Sequence, residues 1–248
     1  MFARMRAARF FVDEPLAIDT RIMLPERVAH HALRVLRLRE GDLIVLFNGA
    51  GGEFAARLSG SGSHAYASID SFSAIERESP LRVTLVQSWV AADKLEWIIE
   101  KAVELGVHSI VLAPAQRSVV RLTGNRLDKR IERLRELIVA ACAQCERNRV
   151  PHIEASPTLA QSLRTGLSGK MRGMLLHPNA ETSVAKAPLA DGVAIAVGPE
   201  GGFDDDELAL AHQLGYAAYR LGPRVLRTET AGLAALAALQ TVGGDFLE

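Results

Sequence analysis

Gly198-Pro-Glu-Gly-Gly202, entered from the apolar run Val193-Ala-Ile-Ala-Val197, is the stretch on which the reading of the fold turns. Some twenty residues later comes Leu221-Gly-Pro-Arg-Val-Leu-Arg-Thr-Glu-Thr230. Five apolar residues bounded by a tight turn predict a strand covered on both faces. Gly201 and Gly202 permit positive φ and let a ligand approach bare backbone. Asp204 with Glu207 three residues on predicts a helix start, and Thr228 is placed to cap the next helix. Two strand–turn–helix units on one sheet edge make a crevice at the carboxyl ends of parallel strands, where open α/β sheets bind ligands.

Exclusion narrows the ligand. The chain has no G-x-x-x-x-G-K-S/T triphosphate loop and no early G-x-G-x-x-G. Backbone-lined turns without a phosphate lysine suit a molecule with an adenine face and no phosphates, and S-adenosylmethionine fits that description. The competing reading of Gly-Pro-Glu-Gly-Gly is a turn and nothing more.

Working outward, the segments before this stretch alternate strand and helix. Leu81–Val90 reads as a buried strand. A helix capped by Asp93 follows, with Leu95, Ile98, Ile99, Ala102 and Val103 as its apolar stripe and Gly106 at its end. Residues 107–113, 150–155 and 171–176 read as strands, 126–147 as a long helix and 157–163 as a short one. Such alternation predicts a largely parallel sheet with both faces covered. The first 74 residues differ. They hold short strands (9–12, 43–47, 53–58, 65–72), a helix over 25–38 and a glycine-rich hairpin loop at Asn48–Gly52, which together predict a small β-barrel. The polar stretch 73–80 ends in Pro80 and serves as the linker. The expected domains are therefore 1–74 and 75–248.

The formal net charge is zero but unevenly spread. Residues 1–39 carry net +4, residues 117–149 net +5 and residues 181–248 net −6. Sixteen of the seventeen basic residues in the two positive segments are Arg, the side chain suited to phosphate forks and base stacking. That asymmetry points to a nucleic-acid partner; a solvated helix face is the bland alternative. Cys142 and Cys145 form a lone C-x-x-C inside a helical pattern, with no second pair for zinc, so no metal is expected. No run approaches the ~18 apolar residues of a membrane span, and Met1–Arg6 lack an apolar signal core, so a cytoplasmic protein is expected.

The two C-terminal motifs, in this order and spacing, resemble those of the SPOUT methyltransferases, in particular the bacterial 16S ribosomal RNA (uracil-N3)-methyltransferase family. The resemblance extends to Leu175-Leu-His-Pro178, Gln144–Pro151, Glu100-Lys-Ala-Val-Glu-Leu-Gly106 and His31-Ala-Leu-Arg-Val-Leu-Arg37, so it covers nearly the whole chain. It implies an α/β fold: a C-terminal SPOUT domain with a mainly parallel sheet and a trefoil knot, preceded by a small PUA-like RNA-binding barrel. It implies a homodimer, with the small-residue-rich last helix (228–242) near the two-fold axis. It implies S-adenosylmethionine held by Leu176, His177, Pro178, Gly198, Pro199, Glu200, Gly201, Gly202, Leu221, Gly222, Val225, Leu226, Thr228 and Thr230. The implied substrate is a uridine in the decoding region of 16S rRNA, on the assembled small ribosomal subunit. Candidate RNA contacts are Arg9, His31, Arg34, Arg37, Arg117 and Arg147, with a structural role open for Arg9. The chain departs from the family pattern at Gln116 and Ala143, where Glu is frequent.

Methylation at uridine N3 requires loss of a weakly acidic proton and stabilisation of the anion spread over O2 and O4. Glu229 can take that proton if burial raises its pKa, and Arg227 can stabilise the anion. Alternatively Glu229 serves the dipole of the helix it opens, and the base is water or a group on the ribosome. Two rival functions stand beside this one. One is a non-catalytic RNA-binding assembly factor on the same fold. The other is a SPOUT enzyme acting on ribose O2′ or a tRNA base.

Overall fold

The computed structural model describes residues 7–61, 64–189 and 192–247; Met1–Arg6, with Arg4 and Arg6 of the first positive segment, lie outside them. The chain divides into two compact units, 1–78 with 142–150, and 79–141 with 151–248. The first unit therefore includes a second piece, Cys142–Val150, beyond the contiguous 1–74 expected from the sequence.

The second unit is built on a six-stranded sheet of order β11-β9-β10-β6-β7-β8. Its strands are β6 (Arg82–Ser88), β7 (Ser109–Ala113), β8 (His152–Ala155), β9 (Arg172–Leu176), β10 (Gly192–Val197) and β11 (Tyr216–Tyr219). Every pairing is parallel. All six residues of β10 are buried, as expected of a central parallel strand with no polar face. Helix α2 (Ala92–Glu104) buries the whole expected stripe, Leu95, Ile98, Ile99, Ala102 and Val103. Its N-cap is Ala91, without a side-chain cap, so Asp93 sits in the first turn rather than before it. Helix α3 (Gly124–Cys145) buries Ile131, Leu134, Ile138, Ala141 and Cys142 at helical spacing. Helix α4 (Leu159–Gly166) is capped by Thr158, whose hydroxyl accepts from Gln161 N. Helix α5 (Asp205–Gln213) opens with the expected capping box between Asp204 and Glu207.

The last helix, α6 (Thr228–Gly243), puts part of its small-residue surface inside the unit. A Cβ on Gly232 would lie 3.3 Å from Leu85 Cδ1 and from Val197 Cγ2, so the helix backbone rides close to β6 and β10. Thr228 does not cap it. Arg227 occupies the N-cap position, and the Thr228 hydroxyl donates to Gly198 O at 2.7 Å while accepting from Gln87 Nε2. A motif that scans as a cap is here a tie between the helix and the glycine turn.

The first unit holds a five-stranded sheet of order β1-β3-β4-β5-β2. Its strands are β1 (Ala8–Phe11), β2 (Arg21–Met23), β3 (Leu43–Phe47), β4 (Glu53–Ser61) and β5 (His64–Ser73). Pairing of β1 with β3 is parallel and the rest antiparallel. One core cluster, including Phe10, Leu24, Ala32, Ile44, Leu46, Leu58 and Ile69, draws on β1, β3, β4, β5 and the helical segment. Glycines 49, 51 and 52 all have positive φ, which makes Asn48–Gly52 a hairpin turn. The helix expected over 25–38 is shorter and changes type. Helix α1 runs Glu26–His30, then His31–Val35 is a π-helical turn in which Leu36 N donates to His31 O. Arg37, with φ of 55°, ends it in the left-handed region.

Candidate active site

Strands β11, β9 and β10 are neighbours, and their register aligns Tyr219 with Leu176 and Leu175 with Ala196. Their carboxyl ends therefore finish level, and the three segments that follow meet there. They enclose a cavity of about 570 Å³. It is lined by Leu176 at the end of β9 with His177 and Pro178 after it, by Gly198–Phe203 after β10, and by Leu221 and Arg224–Glu229 after β11. Of the residues predicted from sequence, Gly222 and Thr230 do not line it. Gly222 turns the chain at φ +77°, and Thr230 is an exposed residue of the first turn of α6, its N–H donating to Arg227 O.

The glycine turn is tight in one place and open in another. Gly202 N donates to Pro199 O at 2.9 Å, and Gly202 has φ of +69° with open space where a Cβ would be. Gly201 needs no positive φ; a Cβ there would meet the Arg117 side chain at 3.1 Å. Gly198 is the constrained one. A Cβ there would lie 3.0 Å from Phe203 N and 3.2 Å from both Gly202 C and Gly202 Cα, all main chain.

Four cations line the cavity that the sequence reading did not name for it: Lys94, Arg117, Arg220 and Arg224. Lys94 stands in the first turn of α2, just after β6, and β6 pairs with β10, so that strand end opens on the same edge. A lysine one turn into the helix after a neighbouring parallel strand was the available signal. Arg117, expected as an RNA contact, donates from Nη1 to Gly201 O at 2.9 Å. Lys94 Nζ is 3.1 Å from Glu200 Oε1 and 3.9 Å from Glu229 Oε2. On the other side Arg227 Nη1 is 3.9 Å from Glu229 Oε1; Arg227 is 84% exposed and Glu229 18%. Glu229 Oε2 is buried and without a hydrogen-bond partner among the described residues. One carboxylate is thus poised between two cations, with an oxygen left to accept. At Glu200, burial works to raise the carboxyl, but its own backbone N–H, the Lys94 ammonium and the Ala91 backbone hold it below the usual carboxylate range.

The RNA candidates separate into two groups. The Arg9 side chain is 8% exposed, and its guanidinium donates to Glu53 Oε2 at 2.7 Å and to Asn148 Oδ1. Arg147 is 4% exposed and paired in a fork with Glu78, Nε to Oε1 at 3.0 Å. Both sit in internal ion pairs of the first unit, which is the structural role left open for Arg9 and one the sequence did not suggest for Arg147. At Glu53, burial works to raise the carboxyl, but the hydrogen bond and charge of Arg9, the charge of Arg77 and the Asn148 amide hold it below the usual range. His31, Arg34 and Arg37 are exposed on and after the π-helical turn. Burial pushes the Cys142 thiol up to about 12, which leaves it unreactive at neutral pH. Among the described residues no group of three or more His, Cys, Asp or Glu is placed to hold a metal, and no helix is long and apolar enough to cross a membrane.

Comparison with known proteins gives a consistent picture. A family model described as an RNA methyltransferase domain matches residues 77–240, and one described as an RNA methyltransferase PUA domain matches residues 24–70. The chain is similar to ribosomal RNA small subunit methyltransferase E of Mycobacterium tuberculosis, with 32% identity over 95% of this chain and 92% of that protein. The Bacillus subtilis protein of the same name is 32% identical over 85% of this chain and 86% of that one. Among solved structures, a putative methyltransferase from Legionella pneumophila in complex with bound SAM superposes with a TM-score of 0.90 at 33% identity, covering 98% of this chain and 100% of that one. Ribosomal RNA small subunit methyltransferase E from Neisseria gonorrhoeae, bound to S-adenosyl methionine, gives 0.89 at 34% identity over 97% of this chain and 100% of that chain.

Proposed function

The chain belongs to the RNA methyltransferase family, and we infer from that membership that it is an S-adenosylmethionine-dependent methyltransferase of 16S, small-subunit ribosomal RNA. We propose further that the acceptor is N3 of a specific uridine in the decoding region, methylated on the assembled subunit. The observation that carries the reading is the convergence of three turns at the level ends of β11, β9 and β10 around Glu229, held between Lys94 and Arg227.

The cavity fits the cofactor. Its volume lies within the range of small-molecule sites. Main chain and apolar side chains of Leu176, Pro178, Gly198–Pro199, Gly201–Gly202, Leu221, Val225 and Leu226 suit an adenine face, and Glu200 and Glu229, among the cations that line the cavity, are the carboxylates that suit a sulfonium. When bound, S-adenosylmethionine supplies an electrophilic methyl group. The protein's own part is acid–base and electrostatic. Glu229, whose Oε2 faces Lys94 without a hydrogen bond among the described residues, accepts the N3 proton, a role that contributes typically 10²–10⁴-fold. Arg227, exposed at the cavity mouth, faces the charge that develops on O2 and O4. Lys94 keeps a countercharge beside both carboxylates. A target base must leave its stack to reach such a cavity. His31, Arg34 and Arg37 hold the RNA elsewhere on the chain. The homodimer through α6, the trefoil threading and a cytoplasmic location belong to the same proposal.

The test is methyl transfer from labelled S-adenosylmethionine to small subunits lacking the modification, with nucleosides mapped by mass spectrometry. 3-Methyluridine at one position, formed on subunits and not on naked RNA, is the expected product. A methyl group on ribose O2′ or on another base would overturn the N3 assignment.

A further inference from the structure

A second cavity, of about 600 Å³, opens on the same edge of the sheet, beyond the ends of β7 and β8. Trp89, Pro114 and Pro157 give it apolar walls, and Ser118, Arg121 and Gly124 supply polar groups. The partition between the two cavities is the segment 116–118: Arg117 lines the first, Gln116 and Ser118 the second. That partition is fastened on both sides. Gln116 N donates to Glu207 Oε1 at 2.8 Å, and Arg117 Nη1 donates to Gly201 O at 2.9 Å.

The second cavity is electrostatically unfilled. Among the described residues Glu207 is its only carboxylate, and both of its oxygens already accept backbone N–H groups, from Gln116 and from Asp204. Arg121 is exposed and has no hydrogen bond or ion pair with the described residues. Ser118 is 7% exposed, and its buried hydroxyl has no partner among the described residues. Gly124 starts α3, a helix of 22 residues with no acid in its first turn, so the positive end of its dipole stands at the cavity uncompensated. A free guanidinium, an unsatisfied hydroxyl and a helix N-terminus around one hollow are the groups that receive a phosphate. Pro114 and the exposed Pro157 beside them, over the buried Trp89, give an apolar surface on which a ribose or base edge can rest.

We propose that this second cavity seats a nucleotide of the substrate RNA flanking the methylated one, with its phosphate on Arg121 and the first turn of α3. The proposal rests on the RNA methyltransferase reading and adds a subsite to it. The partition is a single pass of chain, residues 116–118, so a strand crossing it would place neighbouring nucleotides in the two cavities. Arg117 on the crest, tied to the glycine turn, couples the seating of one to the shape of the other.

Arg121→Glu, Arg121→Ala and Arg121→Lys, on an exposed side chain without partners, are the variants to make. Subunit binding is read by filter retention across a salt series, turnover by labelled methyl transfer, and cofactor affinity by calorimetry. Arg121→Glu is expected to raise the KM for subunits at least tenfold with kcat within twofold and cofactor Kd unchanged. Arg121→Ala should reduce the salt slope of subunit binding by about 0.7, the value for one single-strand phosphate. Arg121→Lys should restore most of both. An unchanged KM and salt slope in Arg121→Glu overturns the subsite. Uridine monophosphate, titrated separately, distinguishes a free nucleotide from RNA: Arg121-dependent binding of the monophosphate with subunit KM unmoved also overturns it. The parent's own turnover tests the underlying reading independently, because filter binding reports on Arg121 whether or not methyl transfer occurs.

Discussion

Replacing Gly198 by Ala tests whether the glycine turn is shaped by its own backbone. The added Cβ would approach Phe203 N at 3.0 Å and Gly202 C and Cα at 3.2 Å. None of these atoms can swing away as a side-chain tip would, and the turn is already closed by the Gly202 N–H to Pro199 O bond. Overpacking of this kind costs typically 1–3 kcal/mol. At about 1.4 kcal/mol per tenfold, a turn that relaxes into a non-binding shape would weaken the cofactor by roughly 5- to 150-fold. If the strain is instead retained in the folded state, it appears as a lower Tm, at roughly 2–4 °C per kcal/mol for a chain of this size. Gly201→Ala is the control. Its Cβ meets the Arg117 Cβ at 3.1 Å and Cδ at 3.2 Å; Cδ can rotate away and the exposed segment carrying Arg117 can shift, so its effect should be smaller than that of Gly198→Ala. Calorimetric titration with S-adenosylmethionine, beside thermal unfolding followed by circular dichroism, measures both shares. Gly198→Ala with unchanged affinity and unchanged Tm, or a larger loss in Gly201→Ala, would refute the reasoning.

Three further outcomes are expected. Glu229→Gln should lower single-turnover methyl transfer by about 10²–10⁴-fold with far less effect on cofactor Kd; a rate within threefold of the parent would move the base to water or to the RNA. Arg34→Ala with Arg37→Ala should weaken subunit binding and flatten its salt slope by about 0.7–0.9 per lost phosphate contact, leaving cofactor titration unaltered; an unchanged slope would make these arginines solvated surface. Glu53 has its folded pKa below the unfolded value of about 4.3, so its stabilisation is present above that pH and is lost as pH falls through the folded pKa. Glu53→Gln should therefore unfold in less urea at pH 7 and lose less stability than the parent on acidification; parallel acid profiles would contradict the assignment.

What could be read from the sequence was local. The Asp204–Glu207 capping box joins residues three apart, and the buried run of β10 declares itself by having no polar residue. The stripe on α2 needs only helical spacing. The places where reading stopped are long-range. Lys94 and Arg117 reach the cavity because the sheet order sets β7 beside β6 and β6 beside β10, which no window of sequence contains. Arg9 and Arg147 look like any surface arginine until Glu53 and Glu78 are seen beside them. The spacing of Val28, Ala32 and Val35 fits an α-helix over 25–38 throughout, and only the hydrogen bond from Leu36 N to His31 O reveals the π turn. Strand β2 has three residues, two of them exposed, and so too little pattern to detect. Thr228 misled because hydroxyl groups that cap helices and those that tie turns share one chemistry.

The ion pairs of the first unit bear on how the protein is born. Arg9 bonds to Asn148 across 139 positions of chain, and Glu78 takes its guanidinium from Arg147. A ribosome adding roughly 5–20 residues per second releases residue 78 several seconds before residue 148. During that interval Glu78 is a carboxylate without its cation, and Asn148, fully buried at the end, has yet to be made. The unit nearest the N-terminus consequently cannot finish folding first. It waits for a nine-residue segment that arrives after β6, β7 and most of α3 have been synthesised. A nascent chain arrested between residues 78 and 141 would carry this unit open, and its sheet would become protease-resistant only once Arg147 and Asn148 had emerged.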